Sequence, residues 1–278
     1  MGVTRKPGDL VAALVRGFLS SRLTWCVLAC GLLWVAASRA QEGLARDPRF
    51  LARPIGLGAQ GPAWGSDDVL KPVRDRLLRL GPLNLFDPRF EEKVRAALAE
   101  VPGVARVHDV RRHWPDRYGV SFRLYRPAAL VLWKDRLIPV TGKGVALPYE
   151  PYARACEGLL RIAGVPEPPP KQGEPWRSEA LEDGLATLFQ IGPGLDRLRP
   201  LLLDRIDVAG SRNPRRGVVL TGGAEVTALW GRPRAPVGEN PVAKKLSLLE
   251  IAASSAEQLR GQTVDVRYHA ILLRQSPP

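Results

Sequence analysis

Catalysis needs a nucleophile with its base, a metal cluster, a working carboxylate pair or a phosphate-cradling loop, and each leaves a spacing in the chain. The 278 residues include three histidines (His108, His113 and His269) and three cysteines (Cys26, Cys30 and Cys156). No histidines stand in H-x-x-x-H spacing and no cysteine lies near one, so the zinc patterns fail. GLGAQG, Gly56 to Gly61, matches G-x-G-x-x-G, which holds a dinucleotide only between a strand and a helix. Pro54 precedes it closely, and Pro62 and Gly65 follow where the helix would run, so the match reads as accidental. Gly142-Lys143-Gly144 lacks the longer run of a Walker loop, and no G-x-S-x-G elbow is present. Glu91-Glu92 and Asp67-Asp68 fall at helix starts, where carboxylates complement the dipole. Arg111-Arg112-His113-Trp114 reads as a solvated strand edge rather than a nucleic-acid contact. The expectation is a protein with no catalytic activity, no cofactor and no bound metal.

Binding is then the chemistry to look for, and composition bounds its setting. Hydrophobic residues make up 45% and charged residues 25%, ordinary for a chain with a core. A net charge of +13 suits acidic partners or anionic lipid headgroups. Three cysteines cannot form a disulfide framework. Leu23 to Ser38, LTWCVLACGLLWVAAS, is an uncharged run bounded by Arg22 and Arg39. Sixteen residues rise about 24 Å, short of a bilayer core of roughly 30 Å, which snorkelling arginines and a thinned bilayer can accommodate. Trp25 and Trp34 sit near its ends as interfacial aromatics do. Ser38-Arg39-Ala40 before Gln41 also fits a signal-peptide cleavage site, so two readings stand: an uncleaved anchor, which is the expectation, or a cleaved leader. Cys26 and Cys30 share one face of this helix and read as small residues at a helix contact.

The elements downstream follow from periodicity. Residues 41–65 read as a linker with at most one short strand. Val69, Val73, Leu77 and Leu80 make an apolar stripe, with Pro72 in the first turn or marking a later start. Asp87-Pro88 starts a second helix carrying Phe90, Val94, Ala97, Leu98 and Val101, stopped by Pro102-Gly103. The period then changes to a strand from Val104, a turn at Trp114 to Gly119, a second strand, and a hairpin around Gly142 to Gly144. Val165 to Pro175, VPEPPPKQGEP, reads as an extended spacer with too little apolar content to pack. A helix over Arg177 to Gln190 follows, then strands around Gly222-Gly223. A further helix has Val242, Leu246, Leu249 and Ile251 as core candidates, and QTVDVRYHAILLRQ reads as one last strand.

Val101-Pro102-Gly103-Val104, Arg111 to Asp116 and Arg126-Pro127-Ala128-Ala129, in that order, resemble the POTRA domain of the bacterial division proteins FtsQ and DivIB. Trp230-Gly231, Lys245-Leu246 and Val264-Asp265-Val266-Arg267-Tyr268 resemble the C-terminal β domain of the same family. The resemblance implies an α+β fold: a POTRA domain of order β-α-α-β-β, then a mixed domain with a largely antiparallel sheet. It divides the chain into a cytoplasmic tail (1–22), a transmembrane helix (23–38), a linker (39–49), the POTRA domain (50–126) and the β domain (127–275, with the Pro-rich loop at 165–175). It implies a non-catalytic scaffold, single-pass in the inner membrane with its bulk outside the cytoplasm, at the division septum. Its partners would be FtsB-like and FtsL-like small bitopic membrane proteins together with other division proteins. An FtsB-like segment would add as a strand to the last β-strand. On this resemblance Tyr268 is an aromatic anchor beside Ala270 and Leu272. Arg267 pairs with an acidic partner residue, and Arg215-Arg216 form a second basic position. The alternatives are another POTRA-bearing secretion or assembly adaptor, or a secreted hydrolase.

Overall fold

A computed structural model of the chain describes residues 22–60, 67–213, 216–233, 238–268 and 272–275. Helix α1 runs from Arg22 to Arg46. The helix expected over the apolar run forms, and among the described residues no helix is long and apolar enough to cross a membrane. The uncharged run stops at Ser38, and Arg39, Glu42 and Arg46 follow within the same helix. Its large apolar side chains from Trp25 to Leu44 are exposed, Trp34 at 76%. The expected linker at 39–49 is the rest of α1 followed by a 3₁₀ turn, Pro48–Phe50, whose start is capped by the Asp47 carboxylate accepting from the Arg49 N–H at 2.9 Å.

Next comes a four-stranded sheet: β1 (Leu51–Gln60), β2 (Leu83–Asn84), β3 (Val104–His113) and β4 (Arg117–Leu124), in the order β2-β1-β4-β3. β1 is parallel to β4 and antiparallel to β2, and β3 and β4 form a hairpin. Gly56 and Gly58 lie inside β1, paired with Gly119 and Ser121. A ten-residue strand thus stands where the composition of residues 41–65 predicts mostly linker, because pairing with β4 supplies order that Gly and Pro do not.

Helices α2 (Asp67–Arg79) and α3 (Phe90–Ala99) cover this sheet. Val69, Val73 and Leu77 of α2 are buried at helical spacing, as are Phe90, Val94 and Leu98 of α3. Pro72 lies inside α2, beyond its first turn, which removes one backbone hydrogen bond near the helix start. The Asp87 carboxylate accepts from Lys93 Nζ at 2.6 Å and from the Arg89 N–H at 2.8 Å, and these bonds hold its pKa below the usual value.

The second sheet is mixed and has eight strands, with four of its seven pairings antiparallel. It contains β5 (Pro127–Trp133), β6 (Arg136–Thr141), β7 (Arg161–Ala163), β8 (Leu203–Asp207), β9 (Val218–Gly222), β10 (Thr227–Gly231), β11 (Gln262–Asp265) and β12 (Leu272–Gln275). The order is β12-β11-β10-β9-β8-β7-β5-β6. The β5–β6 turn is Lys134-Asp135, both at positive φ, as a two-residue hairpin turn requires. The hairpin expected around Gly142 to Gly144 reduces to a tight turn with one bridge, Val140 to Ala146.

A single-turn helix α4 (Tyr149–Tyr152) precedes β7, and helices α5 (Glu179–Ile191) and α6 (Val242–Ser254) pack on the sheet. α5 sits so close that a Cβ on Gly184 would lie 2.8 Å from Ile162 Cγ2, so glycine is required there. In α6 Leu249 is buried while Ile251, expected in the core, is exposed, and Lys245 is buried in its place.

The Pro-rich stretch also departs from expectation. Val165 and Trp176 are buried at its ends, and its backbone is stitched to residues 144–146. Gly173 N–H donates to the Ala146 carbonyl at 2.7 Å, and Trp176 N–H to that of Gly144 at 2.8 Å. Backbone pairing, which composition does not report, makes this an ordered strap.

Candidate partner-binding edge

The row Val219, Leu229, Asp265 and Leu272 crosses the sheet from β9 through β10 and β11 to β12, with the pair Val218 and Gly231 just beyond it. β10 and β11 are parallel, joined through α6, so both finish at this end of the sheet. Arg216, two residues before β9, and Arg267-Tyr268, just after β11, are thereby brought to one end, two strand spacings or about 10 Å apart across the sheet. Of the residues expected here, Arg215 and Ala270 lie outside the described residues. Leu272 opens β12, opposite Asp265.

The single last strand expected over 262–275 is instead a pair, β11 and β12, antiparallel from Gln262–Gln275 to Asp265–Leu272. Tyr268 belongs to the connection between them. β12 ends the strand order, so among the described residues its outer flank has no neighbour.

Arg267 is corrected most. It is 4% exposed, and its guanidinium holds Asp265 through two bonds, Nε to Oδ1 at 2.9 Å and Nη2 to Oδ2 at 2.6 Å. The Asp265 hydrogen bonds keep its pKa above the ordinary value. An arginine that is buried and paired within its own chain does not reach out to a partner's carboxylate. The spacing of the two residues on an apparent strand hid this, because β11 stops at Asp265 and the chain turns. Tyr268 is 43% exposed, with the Arg267 guanidinium 5.3 Å from its ring centroid, so it is a surface aromatic braced from behind. Arg216 keeps an exposed side chain 3.8 Å from Asp207.

A buried polar group fixes the base of this connection. Lys245, 2% exposed, donates from Nζ to Glu239 Oε2 at 2.6 Å and to the Trp230 carbonyl at 2.7 Å. Glu239 also receives the Arg232 N–H, and its carboxylate occupies the space a Cβ on Gly231 would need. Asn240 N–H donates to the Arg267 carbonyl at 2.6 Å, and its side-chain amide donates to the carbonyls of Val266 and Tyr268. Residues 239–245 therefore clamp the end of β10 and the turn after β11 together. Glu239 and Asn240 carry no sequence signal for this: they read as the start of the helix over Glu239 to Gly261, whereas the helix begins at Val242. Lys245 stands in the sequence as half of the Lys245-Leu246 pair that carries the resemblance, but its burial is not written there.

Elsewhere, His108 and His113 are exposed on β3, and Cys156 is buried. Among the described residues no three His, Cys, Asp or Glu side chains converge as a metal site would need. No protein-family model and no curated protein matches the chain.

Proposed function

We propose that the chain is a non-catalytic, membrane-attached scaffold of the FtsQ/DivIB type, acting at the division septum outside the cytoplasm. It joins an FtsB-like bitopic partner, itself paired with an FtsL-like protein, by strand addition at β12, and so contributes to control of septal wall synthesis. The open flank of β12 beside an exposed, clamped Tyr268 carries the reading. Unpaired N–H and C=O groups of an edge strand supply main-chain affinity, and a rigid aromatic supplies selectivity at low entropic cost. Two supports come from elsewhere in the chain. The first unit follows the order β-α-α-β-β once the two-residue β2 is set aside. The exposed apolar surface of α1 needs lipid or protein cover. Attachment in this reading is through α1.

The test is capture of the FtsB-like partner's extracytoplasmic segment by the full chain carrying Tyr268→Ala or Leu272→Glu. Capture should be lost while the thermal midpoint moves by no more than about 2 °C, as for surface substitutions. Undiminished capture by both variants overturns the β12 assignment. Even distribution of the tagged chain around the envelope, without a septal band, overturns the division reading itself.

A further inference from the structure

The strand register puts an aromatic cluster at the corner where α1 leaves the fold. Near the α1 end of β1, Arg53 lies opposite Arg117 of β4, and Arg117 lies opposite His113 of β3. The turn Trp114 to Asp116 therefore stands at the end of the sheet nearest α1, while β4 carries the chain away toward the second sheet. At that corner Trp114 stacks on Phe50, with ring centroids 5.1 Å apart. Phe86 meets both edge-on, 5.0 Å from Phe50 and 5.8 Å from Trp114. The stack is not a core: Trp114 is 67% exposed. It is also rigidly joined to the helix. The Asn84 side-chain amide donates to the Leu44 and Asp47 carbonyls, both at 2.9 Å, and Leu85 N–H donates to the Phe50 carbonyl at 3.0 Å. Residues 39–50 and 111–117 carry six arginines against three acids. Asp109, Glu91 and Asp116 engage Arg111, Arg112 and Arg117, so the positive charge free to meet a partner lies with exposed Arg39, Arg46 and Arg49 beside α1.

We propose that this corner is an interfacial anchor, in which Trp114, Phe50 and Phe86 enter the headgroup layer of an anionic bilayer and the surrounding arginines meet lipid phosphates. The inference rests on the reading that α1 attaches the chain to a membrane, and it extends that surface into the folded unit. An indole with one apolar body and one N–H belongs at the lipid–water boundary, and arginines there gain from the negative surface potential. Ser38 and Arg46 are eight residues apart, about 12 Å of helix. With α1 tilted toward the interface, that length runs mostly along the membrane and brings the corner to the headgroups. The corner becomes the second of two attachments, which fixes how the sheets stand above the bilayer.

The experiment uses the full chain with photoreactive p-benzoylphenylalanine replacing Trp114 or, separately, Leu28 of α1. The protein is reconstituted in vesicles of phosphatidylcholine with and without phosphatidylglycerol. Irradiation should give lipid adducts at both positions, with position 114 labelled roughly fivefold more in the anionic vesicles and losing that excess in 1 M salt, where the Debye length falls to about 3 Å. Adducts at 28 without adducts at 114 overturn the anchor and leave the attachment of α1 standing. Adducts at neither position overturn both. Protein adducts in place of lipid at 114 overturn it in favour of a contact between copies. As a second readout, Trp114→Ala should lower flotation with anionic vesicles several-fold at an unchanged thermal midpoint; unchanged flotation overturns the anchor.

Discussion

At the scale of single residues, burial and pairing decide what each polar group does. Asp265 and Arg267 form a buried bidentate pair, and removing one partner of such a pair strands a charge out of water. Asp265→Ala should cost about 3–5 kcal/mol in urea unfolding, and Asp265→Ala with Arg267→Met should recover part of that loss. Cys156 behaves oppositely, as a neutral group kept neutral. Burial pushes its thiol up from 9.0 to about 11. A folded value above the unfolded one means the stabilisation is complete below about pH 9 and is lost as pH rises toward 11. Unfolding followed between pH 8 and 11 should therefore show a decline of roughly 1–3 kcal/mol, reduced in Cys156→Ala. Tyr152, whose pKa burial also raises, contributes in the same direction.

The elements show how packing selects among faces that the sequence leaves equivalent. α6 offers Val242, Leu246, Leu249 and Ile251 as apolar residues, and only Leu249 among them is fully buried. The helix turns so that Lys245 enters beneath Trp230, because Glu239 and the Trp230 carbonyl satisfy its ammonium there. Leu249→Ala should then cost about 2–5 kcal/mol and Ile251→Ala less than about 0.5 kcal/mol, compared by chemical denaturation. Equal losses would mean that α6 is seated in the other rotation. β3 shows a related effect: two bulges, between Val104 and Arg106 and between Val107 and Asp109, break strict alternation. Val104 and Val110 face inward, yet Arg106 and His108, assigned to the same side by period two, are exposed.

For the whole molecule, the two sheets are joined by a shared core rather than a bare linker. Leu130, Leu147, Tyr152 and Cys156, all beyond residue 126, belong to the hydrophobic cluster under the first sheet. Tyr152 Oη donates to the Gly103 carbonyl at 3.1 Å across the junction. A chain cut after residue 126 leaves that cluster uncovered, so the isolated piece should unfold at least 10 °C below the full chain, on the order expected from losing several buried side chains. The full chain should melt in one calorimetric transition; two well-separated transitions would contradict the shared core.

The sequence by itself determined the local elements wherever one face had to be apolar at a fixed period. α2, α3, α5 and the strands β3, β4, β9 and β10 are legible from their residues, because burial of one face is a one-dimensional constraint. It also marked the segments at which the candidate edge is built, through Asp265 to Tyr268. Tertiary structure alone decided what those residues do there. Only pairing shows that the last strand breaks into β11 and β12, that Arg267 turns inward to Asp265, and that Glu239, Asn240 and Lys245 close the clamp. The same holds for β1 and the Pro-rich strap, whose order comes from hydrogen bonds to distant backbone. The reason is physical: apolar burial is written in residue type and spacing, whereas the partner of a polar or main-chain group is set by which distant segment the fold brings within 3 Å.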